Sequence, residues 1–265
     1  MQQANLLQAL RGPAPEGGLW NGRKVADYLS ELVGQPISRQ QGWEYLKQMR
    51  LRQRVPRPEH QEADPEEQEA WKKKLSTLVE QVQLEHPDAD VEEECEDEHR
   101  IGLQPVSRRI WVEQGSQPVA IVNWKREWLW LYAFVQPQTG ETYWWILPYV
   151  NTKLFSRVLK DFAHHFGAGK NKHIILPLDQ AGWHMSENLS VPEGIHLVPL
   201  PPYSPELQPA ERLWTLINEP LANQAFKTIV EVEELVIQRC RHLLQQQLIK
   251  DLTFYHWWPG VDTAA

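Results

Sequence analysis

Residues 173–180 read HIILPLDQ. A short, fully apolar run of this kind is the pattern of a strand buried on both faces, as in a parallel sheet covered by helices. It closes on Asp179, and in open α/β sheets the groups at that end of a strand converge on the functional site. Working outward, NTKLFSRVLKDFAHHFG (151–167) predicts a helix ended by Gly167, and IHLVPLP (195–201) predicts a second apolar strand. Further upstream the period is two. RRIWVEQG (108–115), PVAIVNW (118–124), EWLWLYAFVQ (127–136) and ETYWWILPYV (141–150) are rich in Val, Ile, Trp and Tyr, with turn signals at QGSQP and QPQTG. These runs predict a four-stranded antiparallel meander with one more strand before it. Two helical stretches close the chain, PAERLWTLINEPLANQ (209–224) and TIVEVEELVIQRCRHLLQQQ (228–247). The order predicts an α/β fold with a mixed sheet flanked by helices.

The first sixty residues differ in kind. Residues 1–18 show little periodicity after Leu10 and read as a loose tail. In GRKVADYLSELVG (22–34), Val25, Tyr28, Leu29 and Leu32 recur at helical spacing and Gly34 marks a stop. Ser38 is a natural N-cap for SRQQGWEYLKQMR (38–50), with Trp43, Leu46 and Met49 on one face. The prolines of LRQRVPRP (51–58) end the helical pattern. Two short helices, a tight turn and a basic arm predict a small all-α helix-turn-helix or winged-helix DNA-binding domain over residues 19–60. Arg39, Gln40, Gln41, Lys47 and Arg50 are its groove-facing candidates, with Arg52 and Arg54 meeting phosphates. An ordinary helical hairpin with a solvated basic face fits the same pattern. Residues 61–90 predict a linker helix striped by Trp71, Leu75, Leu78 and Val82.

The charge confirms this division. The 265 residues carry 27 Lys+Arg against 35 Asp+Glu, a net −8 that argues against a nucleic-acid partner if spread evenly. It is not spread evenly. Residues 1–60 hold nine cations and five acids, 61–99 three and fifteen, and 100–265 fifteen of each. The head is basic, the middle acidic and the body neutral, so a DNA partner is compatible with the total. No apolar run approaches the ~20 residues that span a bilayer. The first residues lack the basic start and apolar stretch of a secretory leader, and two isolated cysteines make neither a disulfide framework nor a zinc cluster. A protein of the reducing cytoplasm, without a membrane partner, is expected.

Three carboxylates stand out by position. In VEEECEDE (91–98), a period of two puts Val91, Cys95, Asp97 and Ile101 on one face, so Asp97 points as the core residues do. Asp179 ends its strand, and Glu211 opens the helix near QPAERLW. Singly, each has an ordinary explanation: a solvated acid, a turn, a first-turn glutamate. Jointly they would repel one another unless a hard divalent cation, Mg²⁺ or Mn²⁺, relieved the charge.

The blocks EDEHRIGL (96–103), LDQAGWH (178–184) and PPYSPELQPAERLW (201–214) resemble the three active-site blocks of the DDE transposases. More narrowly, they resemble the bacterial insertion-sequence branch related to mariner. The resemblance covers about residues 19–260, and the third block carries most of its specificity. It implies an RNase H-like DDE catalytic domain over residues 91–265, with Asp97, Asp179 and Glu211 as catalytic residues holding two Mg²⁺ (or Mn²⁺) ions. Glu98 and Glu206 are then neighbours rather than ligands. His184 stands at the family's usual place, where it orients the site, touches DNA, or is simply packed and hydrogen-bonded. Arg100, Arg108, Arg109, Lys125 and Arg126 are the expected phosphate contacts in this domain. The implied function is a transposase that cuts DNA at insertion-sequence ends and joins the 3′-hydroxyl to a TA target, acting as a homodimer on paired terminal inverted repeats. A relic that only binds DNA, and a nuclease of the same fold without strand transfer, are the competing readings. The sequence departs from the family in the glutamates at 92, 93, 94 and 96 and in Gln180 after the second acid. Full-length relatives commonly carry another helix-turn-helix upstream, so a short form or the downstream part of a split frame is expected.

Overall fold

The structure, a computed structural model, describes residues 2–15, 17–53, 60–244 and 246–259. They form two compact units, Met1–Pro58 and Glu59–Ala265.

In the first unit, α1 (Gln2–Ala9), α2 (Gly22–Val33) and α3 (Arg39–Gln48) surround a small core of Leu6, Val25 and Leu29. The Asn21 side chain caps α2 by accepting from the Arg23 and Lys24 amides, and Gly34 ends it at φ 70°. The Ser38 hydroxyl and the Gln41 side chain cap α3 reciprocally, each accepting from the other's backbone N–H. Gly42 is required where the helices cross. A Cβ there would stand 2.8 Å from the Ala26 nitrogen and closer still to the Gly22 carbonyl oxygen. Two expectations are corrected. The residues read as a loose tail include α1, whose Leu6 is fully buried, with Leu10 four residues on packed against the same core. Trp43 does not share the core face of α3. It is exposed and lies under the Lys47 ammonium, while Tyr45, Leu46 and Met49 face inward. Among the described residues of this unit no strand forms a wing.

The second unit begins with α4 (Pro65–Glu85), capped by Asp64. Its Trp71, Leu75, Val79 and Val82 enter the main core, and the Trp71 Nε1–H donates to the Pro199 carbonyl at 2.8 Å. Strands β1 (Asp90–Glu93) and β2 (Cys95–Gly102) follow, separated by Glu94 alone. β2 pairs antiparallel with β3 (Trp128–Gln136), and β3 with β4 (Glu141–Leu147). β1 pairs parallel with β5 (Lys172–Leu178), and β5 with β6 (Ile195–Pro199). The Glu94 amide continues the ladder to the Ile175 carbonyl at 3.0 Å. β1 and β2 therefore act as one bent strand at the middle of a mixed sheet ordered β4-β3-β2/β1-β5-β6.

On one face, Tyr132, Phe134, Ile174, Leu176 and Leu178 pack against Phe155, Val158, Leu159 and Phe162 of α5 (Thr152–Phe166). Leu131, Ala133, Val135 and Ile175 belong to the opposite core, shared with α4, α6 (Leu213–Asn218), α7 (Ile229–His242) and Ile249 of α8 (Gln246–Thr253). Alternation along each strand supplies both cores, as two covered faces demand. The fold is thus mixed α/β, a helical region followed by a sheet flanked by helices.

Two further readings are corrected. RRIWVEQG and PVAIVNW are not strands. β2 pairs directly with β3, which leaves no place for them beside it in the order of an antiparallel meander. Residues 103–127 form an irregular excursion whose Trp111, Val119 and Trp124 are exposed. Glu211 does not sit inside an α-helix. It lies in a 3-10 turn, Pro209–Arg212, and α6 after it stops before Pro220.

Packing and charge make two expectations testable. Gly42→Ala overpacks the α2–α3 crossing and costs the first unit about 1–3 kcal/mol; thermal melting of the full chain followed by circular dichroism reads this, and an unchanged melt contradicts the crossing. The second concerns three histidines: His86 stacks on His173 at 3.9 Å, and His173 Nδ1 lies 2.9 Å from His196 Nε2. Burial, then the neighbouring His173 and His86, depress the His196 pKa. Below the ordinary histidine value the unfolded chain therefore binds the proton more readily than the folded one. Stability falls as pH drops through that value toward the depressed one, and is unaffected above it. The melting temperature should decline from pH 7 to pH 5.5, less so in His196→Gln; identical slopes would refute the coupling.

Candidate active site

β2 is the strand from which the site is built. Its alternation splits the acids. Asp97 pairs in register with Ala133 and shares the face of Cys95 and Ile101, while Glu96 and Glu98 pair with Phe134 and Tyr132 on the α5 face.

On the Asp97 face, the segment 201–214 docks against β2. Gln208 Nε2 donates to the Glu96 carbonyl oxygen at 2.7 Å, and Ala210 and Leu213 are fully buried. The Trp214 Nε1–H donates to Asp97 Oδ2 at 2.8 Å, and its ring stacks on His99 at 4.9 Å. This docking brings Glu211 to Asp97. Burial, then the Glu211 charge, push the Asp97 pKa well above the aspartate range, with Glu98 and Asp179 adding to the effect and the Trp214 bond opposing it. Glu211 as a residue is exposed, yet desolvation on the protein side of its carboxyl, followed by the charge of Asp179, raises its pKa too. The charges of Glu211 and Asp179 thus reach Asp97, and that of Asp179 reaches Glu211.

Asp179 leaves β5 with its side chain 55 % exposed. Its Oδ1 accepts from the Ala181 amide and from His184 Nδ1, both at 2.8 Å. Partial burial would raise its pKa, but the His184 and Ala181 hydrogen bonds and the His184 charge win and lower it. Gln180, a departure from the family pattern, is structural. Its Nε2 donates to the Leu200 carbonyl at 2.8 Å and ties this turn to the end of β6.

On the opposite face, the imidazole of His184 is buried. Its Nε2 lies 3.1 Å from Glu98 Oε1 and 3.6 Å from Glu96 Oε2. The Trp183 Nε1–H donates to the same Glu98 oxygen at 2.7 Å. Burial alone would lower the His184 pKa. The bonds to Asp179 and Glu98 and the charges of Glu96 and Glu98 outweigh it and push it up to about 11. Glu96 is completely buried, and neither of its carboxylate oxygens has a hydrogen-bond partner. Burial, then Glu98, raises its pKa well above the glutamate range.

Two acidic groups could hold a cation. The ligand atoms of Glu96, Glu98 and His184 lie within 4.8 Å of one another. Sequence reasoning missed this group, although the period-two spacing of 96 and 98 was its visible signal. The side chains of these three are 0 %, 3 % and 0 % exposed, so no large substrate reaches an ion there. Asp97, Asp179 and Glu211 offer hard oxygen donors, stand open to solvent at two of the three positions, and repel one another in the absence of a cation. That donor set fits Mg²⁺ or Mn²⁺.

The other expected residues divide. Glu206 is a neighbour, accepting from Gln68 Nε2 at 2.5 Å. Arg100 and Arg126 line a groove of about 430 Å³ together with His99, two residues from Asp97. Arg108, Arg109 and Lys125 are exposed on the 103–127 excursion. Both ring nitrogens of His184 are engaged and its ring is buried, in keeping with the orienting role among its expected ones. In the first unit Arg39, Gln40, Gln41, Lys47, Arg50 and Arg52 are exposed, with Gln41 committed to the capping box; Arg54 lies outside the described residues.

Residues 94–233 match the family model of the DDE superfamily endonucleases, and residues 16–75 match that of the winged helix-turn helix. An uncharacterized protein of Sinorhizobium fredii is 35% identical over 114 residues, 43% of this chain and 81% of that protein. Among solved structures, the Mos1 transposase paired-end complex with left transposon end matches at a TM-score of 0.58 and 18% identity, covering 96% of this chain and 76% of that one. The Mos1 mariner paired end complex with Mn matches at 0.54 and 18%, covering 95% and 79%. At such identities the likeness is one of fold.

Trp214→Phe keeps the ring stacked on His99 but removes the donor that holds Asp97. Calorimetric titration with Mn²⁺ should show about 10–100-fold weaker binding with an unchanged melt. Wild-type affinity in this variant would remove Trp214 from the site.

Proposed function

This chain belongs to the DDE superfamily endonucleases, and from that premise we propose that it is a bacterial insertion-sequence transposase. In this reading it cuts DNA at the element's terminal inverted repeats and joins the freed 3′-hydroxyl to target DNA at a TA dinucleotide. One observation carries the proposal. The turn that carries Glu211 is docked on β2 by Gln208, with Trp214 beyond it bonded to Asp97, and Asp179 leaves β5 with its side chain half exposed.

Asp97, Asp179 and Glu211 would hold two divalent cations, which when bound supply charge neutralisation and activation of oxygen nucleophiles at a phosphodiester. The chain's own residues perform the positioning. Trp214 fixes the Asp97 carboxylate by one hydrogen bond. His184 and the Ala181 amide fix that of Asp179 by two, leaving its other oxygen free. Glu211 sits on a turn bolted to β2 through Gln208. Arg100 and Arg126, in the groove beside His99, would meet the phosphates flanking the scissile one.

DNA-end recognition falls to the first unit, where Arg39, Gln40, Lys47, Arg50 and Arg52 are exposed around α3. A homodimer on paired ends is supported by the excursion 103–127, on which Ile110, Trp111, Val119, Ile121 and Trp124 are all exposed apolar side chains. No helix among the described residues is long and apolar enough to cross a membrane. Cys95 and Cys240 are buried and unpaired, in keeping with work in the cytoplasm.

The test is cleavage of a duplex carrying the flanking inverted repeat, with Mg²⁺ or Mn²⁺. Asp97→Asn, Asp179→Asn and Glu211→Gln should each lower the rate by about 10³-fold or more, the scale of losing an electrostatic clamp, while the melts stay close to wild type. A variant that cuts normally overturns the triad. Cleavage without joining to a TA-containing target would leave a nuclease in place of a transposase.

A further inference from the structure

A second basic surface lies on the α5 side of the catalytic unit. A groove of about 690 Å³ is lined by Lys153, Arg157 and Lys160 of α5, with Ser156 between them and Asn188 and Ser190 opposite. No carboxylate lines it. Among the described residues none of the three cations has an acid within 4 Å, although residues 100–265 carry as many acids as bases. The one acid on this stretch of the helix, Asp161, is engaged by the Tyr143 hydroxyl. Core packing does not account for these cations. The inward face of α5 is Phe155, Val158, Leu159 and Phe162, and Lys153, Arg157 and Lys160 are all exposed.

One loop ties the groove to the site. The loop that leaves Asp179 passes through His184, whose ring packs on Phe155 of α5 at 4.3 Å between centroids. The same loop returns to α5 where the Ser190 amide donates to Ser156 Oγ at 3.1 Å. One wall of the groove is therefore the segment that carries the second acid.

We propose that this groove is a track for the DNA phosphodiester backbone. The proposal rests on the reading of the chain as a DNA-cutting enzyme and assigns a surface to one strand beyond Asp179. The chemistry selects this ligand. The cations follow one helical stripe at spacings of four and three residues, about 10 Å along the axis, which matches the rise of roughly three nucleotides of one strand. Hydroxyl and amide donors interleaved with Lys and Arg are the usual partners of phosphate oxygens, which carry position rather than sequence. An acidic peptide would present carboxylates at less regular spacing, and apart from Pro192 no apolar residue lines the groove to receive its side chains.

The experiment measures binding of the full chain to a fluorescent duplex of arbitrary sequence by anisotropy across a salt series. The triple variant Lys153→Gln, Arg157→Gln, Lys160→Gln is compared with a charge-matched control, Lys73→Gln, Lys74→Gln, Lys170→Gln. The groove variant should bind at least about tenfold more weakly at low salt, and its slope of log K against log salt should fall by roughly 2–3, near 0.9 for each lost contact. The control should keep the wild-type slope. An unchanged slope in the groove variant, or equal losses in both variants, overturns the track, as does tighter binding of an RNA duplex than of DNA. A chain that binds through the groove but never cuts sinks the transposase reading alone. A groove variant of wild-type affinity in a chain that does cut sinks the track alone.

Discussion

Strand β2 and the residue before it carry Glu94, Glu96, Asp97 and Glu98 into the middle of a sheet, and the imidazole of His184 is the cation that answers Glu96 and Glu98. Burying a carboxylate without a partner costs several kcal/mol, and the group escapes that cost by holding its proton or by finding a cation. Both routes are taken here. Glu94 and Glu96 are pushed toward the protonated form by burial. Glu98 is bound by Trp183 and His184. Among the described residues no Lys or Arg lies within 4 Å of any of these four acids; Lys172 reaches only Glu92. Without His184, Glu98 and Asp179 would lose their shared donor and the loop after β5 would lose its anchor on the α5 face.

This arrangement divides the labour between the two faces of β2. The α5 face is closed, and its acids serve position. The opposite face opens to solvent at Asp179 and Glu211, and the proposed reading gives its acids the chemistry. Asp179 belongs to both, because one oxygen is held by His184 while the side chain remains half exposed. A cation in the closed cluster would meet neither a phosphate nor a water exchanging with solvent. A cation among Asp97, Asp179 and Glu211 would meet both. Trp214 and Gln208 do on the open face what His184 does on the closed one, fixing the third block of sequence against the first.

Much of the fold was legible in the sequence because its signals were local. Gly34 and Gly167 end helices in the left-handed conformation that glycine permits, Ser38 and Gln41 cap one, and the apolar run before Asp179 is a buried strand. The period-two reading placed Asp97 on the core face with Cys95 and Ile101. What was not legible depended on distant partners. RRIWVEQG and PVAIVNW have the composition of strands, but the sheet position beside β3 belongs to β2. Trp43 has helical spacing with Leu46 and Met49, but a lysine one turn on covers it instead of the core. Of the glutamates before Asp97, Glu92 answers Lys172 and Glu93 answers Gln138, and Glu96 became intelligible only once a histidine nearly ninety positions away was seen beside it. The cations of α5 sat unnoticed because their helix already had a sufficient reason to exist in its core face.

The central claim is that divalent cations bind on the open face, among Asp97, Asp179 and Glu211. Anomalous X-ray scattering from a Mn²⁺-loaded crystal of the full chain tests it most directly. The account predicts manganese peaks bounded by those three carboxylates, with Glu96, Glu98 and His184 still bonded to one another and free of metal. Manganese seated among Glu96, Glu98 and His184, with the open face empty, would contradict it.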